Sequence, residues 1–262
     1  KNIDLVVEKN EILGVIGPTG SGKTTLLQMM NGVLHPSEGE VLVDGKNPAK
    51  FRGREITRLR QKVGLVFQSP EDQIFENRVY DDIAFGPRNM GITGAELENR
   101  VKSAMEIMGL DFASMHQRKP QTLSGGQKRR VAIAGILALN PEYLILDEPA
   151  AGLDPLGRRK LMKLILKLRQ SQGMGVVMVS HRLQDILSIC DKVAVLVSGE
   201  IYKIGTPVEI AEMGEELTDI GLLLPPMNLV LQKLKVSLPH LKTGLVGEKA
   251  IARGIDQALR TQ

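Results

Sequence analysis

The stretch Gly17-Pro18-Thr19-Gly20-Ser21-Gly22-Lys23-Thr24 has the spacing G-x-x-x-x-G-K-[ST], and its residue types suit the binding of phosphate. Glycines let the backbone fold tightly, so that successive N–H groups and the N-terminus of a following helix face an anion. Lys23 is then placed to bridge the β- and γ-phosphates of a nucleoside triphosphate, and the Thr24 hydroxyl to ligate Mg²⁺. Thr25 is grouped with this loop as a nucleotide contact. A plain glycine turn capping a helix would need neither the lysine nor the threonine. A metal at this loop needs a second anchor, and Tyr143-Leu144-Ile145-Leu146-Asp147 supplies an apolar run ending in an acid. Asp147 is expected to hold Mg²⁺ directly or through water. Glu148, next to it, is expected to face the γ-phosphate and to orient and polarise an attacking water. A third pattern, Leu123-Ser124-Gly125-Gly126-Gln127, puts Ser124 where a helix N-cap is expected, with two glycines exposing N–H groups at a positive helix end. That is a second candidate anion site, although taken alone an ordinary capped turn explains it better.

These groups need a scaffold that presents loops at strand ends. Apolar runs at residues 12–16, 143–146 and 176–179 each stop at such a loop: the glycine loop, Asp147-Glu148, and Ser180-His181. Short apolar runs followed by helical patterns predict buried parallel strands with helices on both faces, an α/β architecture whose ligands sit at the carboxyl ends of the strands. A helix is expected over residues 23–32. Residues 3–7 and 40–45 also read as strands, the second ending in an Asp-Gly turn. From about residue 68 to 138 the period becomes helical, with Leu97, Val101, Ala104, Met105 and Met108 on one apolar face. That segment predicts a helical subdomain inserted into the sheet domain. Helices are further expected over 128–139, 156–170 (with Leu161, Leu164, Ile165 and Leu168 as core), 227–236 and 248–259. The tail after the Pro225-Pro226 break either packs on the domain or offers a partner surface.

Composition bounds the reading. With 42% hydrophobic and 24% charged residues among 262, the balance is that of a folded chain with a sizeable core. The net charge of +4 arises from 34 basic and 30 acidic residues that interleave, so no nucleic-acid partner is expected. The clusters Arg52, Arg54, Arg58, Arg60, Lys62 and Lys128, Arg129, Arg130 read as solvated helix faces. A single cysteine, Cys190, excludes an internal disulfide and reads as a buried apolar thiol in a reducing compartment. No run of about 18 apolar residues predicts a membrane-spanning helix, and no signal peptide is read. The chain begins at Lys1 without an initiator Met, so its true start is expected upstream.

The signature Leu123-Ser124-Gly125-Gly126-Gln127, ahead of an apolar strand ending in Asp147-Glu148, resembles that of ABC-type ATPases. The family's other motifs follow in order: Gln68 as the Q-loop glutamine, Ala151-Gly152-Leu153-Asp154 as the D-loop, and His181 as the switch histidine. The resemblance implies a P-loop ATPase fold in which two domains pair head to tail, each ATP lying between the glycine loop of one and the signature of the other. Ser124, Gly125, Gly126 and Gln127 would then contact the partner's nucleotide, His181 the γ-phosphate, Gln68 the metal and the water, and Asp154 the dimer interface. A narrower resemblance runs from Gln68 through Pro70-Glu71-Asp72-Gln73-Ile74-Phe75 to Asp81-Asp82-Ile83-Ala84-Phe85-Gly86-Pro87. It is similar to the ATPases of energy-coupling factor importers, which take up vitamins, and their cobalt and nickel relatives.

That resemblance implies an ABC ATPase domain over residues 1–215, with its helical subdomain at about 68–138. Residues 216–262 would form a C-terminal helical extension available for dimerisation. Implied partners are a second ATPase subunit (identical or related), a transmembrane coupling subunit docking just after Gln68, and a substrate-binding membrane subunit, all at the cytoplasmic face of the cell membrane. One feature departs from the family: the aromatic residue that usually stacks on adenine upstream of the glycine loop is missing, since none of the sixteen residues before Gly17 is aromatic. Competing readings are an ABC ATPase acting as a mechanical clamp on nucleic acid or ribosome, and a regulatory nucleotide-binding module without turnover. Clamps of the first kind carry long coiled-coil insertions or two cassettes, which the sequence lacks, and Glu148 and His181 argue against the second.

Overall fold

The computed structural model describes residues 1–260. In chain order it forms β1 (Ile12–Ile16), α1 (Lys23–Met30), α2 (Arg54–Lys62), β2 (Val63–Val66), α3 (Val79–Asn89), α4 (Gly94–Ile107), α5 (Phe112–Met115) and α6 (Gly125–Leu137). Then come β3 (Tyr143–Asp147), α7 (Pro155–Gln172), β4 (Gly175–Val179), α8 (Leu183–Ile189), β5 (Lys192–Val197), β6 (Glu200–Gly205), α9 (Pro207–Glu212), α10 (Glu215–Asp219), α11 (Pro226–Ser237) and α12 (Glu248–Arg260). Residues 1–23 together with those from 177 onward form one compact unit, and residues 24–176 form another.

In the first unit β1 runs parallel to β5, Leu13 opposite Lys192 and Ile16 opposite Val195, and β5 pairs antiparallel with β6. All of β1 is buried, as expected of a parallel strand covered on both faces. Gly14 is required by packing: a Cβ there would meet Ile186 Cγ2 at 2.5 Å and Cys190 Sγ at 2.9 Å, so α8 lies directly on the β1 backbone. Cys190 is the buried thiol the sequence predicts, and burial pushes its ionisation far above the ordinary range. The tail builds a small core of its own from Leu231, Leu238, Leu241, Ile251 and Ala258. Asn228 is buried beside it and donates to the carbonyls of Thr243 (3.4 Å) and Leu245 (3.2 Å), which ties α11 to the segment before α12.

In the second unit β2 and β3 run parallel, Val63 opposite Tyr143 and Val66 opposite Leu146. Between them every regular element is helical, and the predicted face of Leu97, Val101, Ala104, Met105 and Met108 is buried. Full burial of each large apolar side chain contributes about 1.5–3 kcal/mol. α6 packs against β2 so closely that a Cβ on Gly64 would meet Ile136 Cγ2 at 2.5 Å. α7 shows its boundaries in its sequence. Asp154 Oδ1 accepts from the N–H groups of Leu156 (2.9 Å) and Gly157 (3.0 Å), Pro155 occupies the first turn, and Gly173 ends the helix at φ 62°. Leu161, Ile165 and Leu168 are buried as expected, joined by Met162, while Leu164 is half-buried.

Two predicted strands are not strands. Residues 3–7 alternate half-buried and exposed side chains but join no ladder. Residues 40–45 make only an isolated bridge between Val43 and Lys46, although the predicted Asp44-Gly45 turn is there, with both φ angles positive (49° and 71°). Alternation of apolar and polar residues reports a half-buried extended chain, and a ladder needs a partner strand the local sequence does not specify.

Candidate nucleotide site

The first unit holds residues 17–23 of the glycine loop. A Cβ on Gly17 would meet the Leu196 carbonyl oxygen at 2.1 Å and Ser21 Oγ at 2.6 Å, so only glycine fits against β5. Gly20 and Gly22 take φ angles of 80° and 96°, and nothing lies within 4 Å of where a Gly20 Cβ would be. Pro18 is half-buried and Thr19 exposed. The loop is pinned by Ser21, whose N–H donates to Pro18 O (3.2 Å) and whose carbonyl accepts from Gly199 N (3.0 Å). Ser21 Oγ is buried and has no hydrogen-bond partner among the described residues, an orphaned polar atom of the kind a ligand oxygen satisfies. Lys23, 7% exposed, folds its ammonium over its own loop, donating to Gly17 O and Pro18 O at 2.9 Å each. His181 is exposed immediately after Ser180, which closes β4 with a turn in which Ser180 Oγ accepts from Arg182 N at 3.1 Å.

The second unit holds the remaining residues. Thr24 and Thr25 are exposed in the first turn of α1. Thr24 Oγ1 donates to Asp147 Oδ2 at 2.8 Å, bringing together two groups 123 positions apart in the chain. Asp147 closes β3 and is buried. Glu148 follows it, 7% exposed and at φ 52°, a left-handed conformation that costs a non-glycine residue about 1–3 kcal/mol and gathers at functional sites. Its carbonyl accepts from Ala151 N at 3.1 Å, closing a turn over residues 148–151. Gln68 is exposed in a bend just past β2, followed by Ser69 at φ 55° and by the short 3₁₀ turn Pro70–Gln73.

Ser124 caps α6 as predicted, in a reciprocal pair: its Oγ accepts from Gln127 N (3.3 Å) and its own N–H donates to Gln127 Oε1 (3.0 Å). The helix starts at Gly125, a turn earlier than the sequence pattern suggests. A Cβ on Gly125 would meet nothing within 4 Å, and one on Gly126 only Leu153 Cδ2 at 3.8 Å, so both present an open face. Asp154, expected at a dimer interface, caps α7 in this chain.

One reading of the charge clusters is corrected. Arg129 is not on a solvated face: it is 6% exposed, its Nε and Nη2 donate to Glu71 Oε2 (3.0 Å) and Oε1 (2.7 Å), and its Nη1 donates to the carbonyls of Pro149 (3.5 Å) and Ala151. Three successive basic residues spread over about 200° of a helix's circumference, so they do not all fit a narrow solvent face. That was the available signal.

These groups suit a magnesium nucleotide. A buried lysine, an orphaned hydroxyl and a tight glycine loop exposed at Gly20 suit a phosphate, and a hydroxyl beside a single carboxylate is a set of hard oxygens. Mg²⁺ takes one or two such ligands and completes its shell with water and phosphate. Among the described residues no group of three or more His, Cys, Asp or Glu gathers to hold a metal on its own.

A glycine loop between an apolar strand and a helix, a strand ending in an acid that accepts from Thr24, and a capped signature helix define the class of ATP-binding-cassette ATPases. The family model described as "ABC transporter" matches residues 1–151. The energy-coupling factor transporter ATP-binding protein EcfA2 of Clostridium perfringens is 46% identical over 234 residues, covering 89% of this chain and 82% of that protein. EcfA2 of Symbiobacterium thermophilum is 48% identical over 234 residues, covering 89% and 80%. Among solved structures, cbiO1 of Clostridium perfringens, part of the ABC transporter complex cbiONQ, superposes with a TM-score of 0.74 at 35% identity over 91% of this chain and 88% of that one. The ATP-binding cassette MJ0796, a dimer in a post-hydrolysis state with ADP and Pi, gives 0.70 at 30% identity over 79% and 89%. The chain belongs to the ABC transporter ATPases and, within them, to the energy-coupling factor transporter ATP-binding proteins. It is an ATP-hydrolysing transport protein with the α/β cassette fold, and the reading as a clamp on nucleic acid or ribosome is not supported.

Proposed function

We propose that this chain works as one of two paired ATPases at the cytoplasmic face of a cell membrane, driving an importer of vitamins or transition-metal ions through a transmembrane coupling subunit and a substrate-binding membrane subunit. No helix among the described residues is long and apolar enough to cross a membrane, so the membrane part falls to partners. Residues 1–215 serve as the ATPase domain, with 68–138 as its helical subdomain, and 216–262 as an extension that helps pair two chains. Pairing is supported by the dimeric state of the cassette MJ0796, and membrane partners by the place of cbiO1 in a transporter complex.

The observation that carries the site assignment is the Thr24–Asp147 contact, which sets the two oxygens suited to Mg²⁺ side by side. When bound, Mg²⁺ neutralises phosphate charge. Lys23 takes the β- and γ-phosphates, with the backbone of residues 17–25 around them and every residue there except Pro18 able to offer an N–H. Glu148 holds and polarises the attacking water, Gln68 contacts the metal and that water, and His181 contacts the γ-phosphate. Ser124, Gly125, Gly126 and Gln127 complete the partner's site. Little covalent chemistry is asked of the protein: positioning and electrostatics lower the barrier.

The segment after Gln68 suits the docking of a coupling subunit. Phe75 and Phe85 are 63% and 43% exposed and meet edge to face, ring centroids 4.8 Å apart. Asp82 Oδ1 accepts from the N–H groups of Phe75 (3.1 Å) and Glu76 (3.3 Å) and fixes the first ring's backbone. An apolar aromatic pair held rigid on the surface is a ready anchor for a partner. Purification from membranes in mild detergent tests the assembly: integral-membrane subunits should accompany the chain, and recovery with ribosomes or DNA alone would overturn the transport reading.

A further inference from the structure

Arg129 joins three segments that the sequence keeps far apart. It stands in the second turn of α6, the helix that Ser124 caps. One edge of its guanidinium takes both carboxylate oxygens of Glu71, in the 3₁₀ turn just after Gln68, and its Nη1 takes the carbonyls of Pro149 and Ala151, in the turn that begins at Glu148. Ala151 is in turn hydrogen-bonded through its N–H to the Glu148 carbonyl. A chain of direct contacts therefore runs from Glu71 through Arg129 and Ala151 to the backbone of Glu148.

Two physical facts give that chain its force. A charge as buried as that of Arg129 is strongly penalised without its partner, so Arg129 and Glu71 have to move together. The left-handed backbone of Glu148 persists only where its surroundings over-determine it, and the hold of Arg129 on the next residues is such a constraint. The guanidinium is needed for its shape as well as its charge, since only a planar fork reaches a carboxylate along one edge and carbonyls along another.

We propose that Arg129 is a positioning residue for ATP hydrolysis, which sets the Glu148 turn in register with both the signature helix and the segment after Gln68. The proposal rests on the role assigned to Glu148 above. Force applied at the Phe75–Phe85 surface reaches the hydrolytic carboxylate through Glu71 and Arg129, and movement of α6 reaches it through Arg129 alone.

The test uses the full chain in its transporter complex, reconstituted in liposomes, with R129K, E71Q, the double variant and E148Q compared for kcat, KM for ATP and thermal unfolding. Displacement of the Glu148 turn should lower kcat of R129K and of E71Q about tenfold or more while KM stays within about twofold. The double variant should lose no more than R129K alone, because both substitutions break one linkage. A kcat within twofold of wild type in R129K, or losses that multiply in the double variant, would overturn the proposal; should R129K fail to assemble, E71Q decides by the same criterion. If E148Q is inactive while R129K and E71Q turn over normally, the positioning role alone falls. If E148Q itself turns over normally, the role of Glu148 falls, and the positioning role with it.

Discussion

Thr24 and Asp147 meet at 2.8 Å through a hydroxyl and a carboxylate, the first exposed in the opening turn of α1 and the second buried at the end of β3. An exposed hydroxyl held against a buried acid is a pair of oxygens pre-set for a hard cation that arrives with its own water and phosphate.

Replacing Thr24 by Ala removes one of the two oxygens and leaves Asp147 without that donor. Apparent Mg²⁺ affinity, read by titrating the metal against ATP hydrolysis, should fall about tenfold or more. An unchanged midpoint would place the metal elsewhere.

Lys23 is buried with its ammonium over the carbonyls of Gly17 and Pro18, so its charge is already held at the glycine loop proposed to take phosphate. Loss of a charge-assisted contact worth about 1.5–3 kcal/mol should weaken binding of a non-hydrolysable ATP analogue to K23A roughly ten- to a hundredfold. Calorimetric titration measures it directly.

Gly126 lies in α6 with room for a methyl group, the nearest atom being Leu153 Cδ2 at 3.8 Å. Within one chain G126A should therefore be neutral or stabilising, by up to about 1 kcal/mol for Gly→Ala in a helix. If the signature faces a partner's nucleotide, hydrolysis by the paired complex should nonetheless fall about tenfold or more. Thermal unfolding and turnover should thus separate, and turnover equal to wild type would count against the paired site.

Glu71 gives a pH dependence. Burial pushes its carboxyl up from the ordinary 4.5, but the Arg129 hydrogen bonds, its own backbone N–H and the Arg129 and Lys128 charges outweigh that, and the group lies below its ordinary value. A lowered carboxylate contributes stability that is fully present above its unfolded-state value and is lost as pH falls through the folded-state one. The stability gap between wild type and E71Q, from urea midpoints, should be constant from about pH 6 to 8 and should narrow as pH falls below the ordinary 4.5 and through the lowered folded-state value. A gap that widens in acid would contradict the pairing.

Much of this was legible because buried parallel strands write themselves as apolar runs, and those ending at Ile16, Asp147 and Val179 were readable for that reason. So was the cap at Ser124, whose chemistry is local. Residues 3–7 and 40–45 misread as strands because pairing depends on what lies alongside, which a local pattern cannot state. Arg129 was missed on similar grounds: its partners, Glu71 and the turn after Glu148, are far away in sequence. Motif spacing names the residues proposed to hold phosphate and metal, but not the fold of Lys23 back onto its own loop, nor the left-handed backbone of Glu148.

The central claim is that ATP is hydrolysed here with Glu148 directing the water, and it is tested most directly by steady-state ATP turnover of the E148Q complex. The substitution keeps the side chain's size and removes its basic oxygen. Turnover should fall about 10²–10⁴-fold while ATP binding is retained; turnover equal to wild type would contradict the claim.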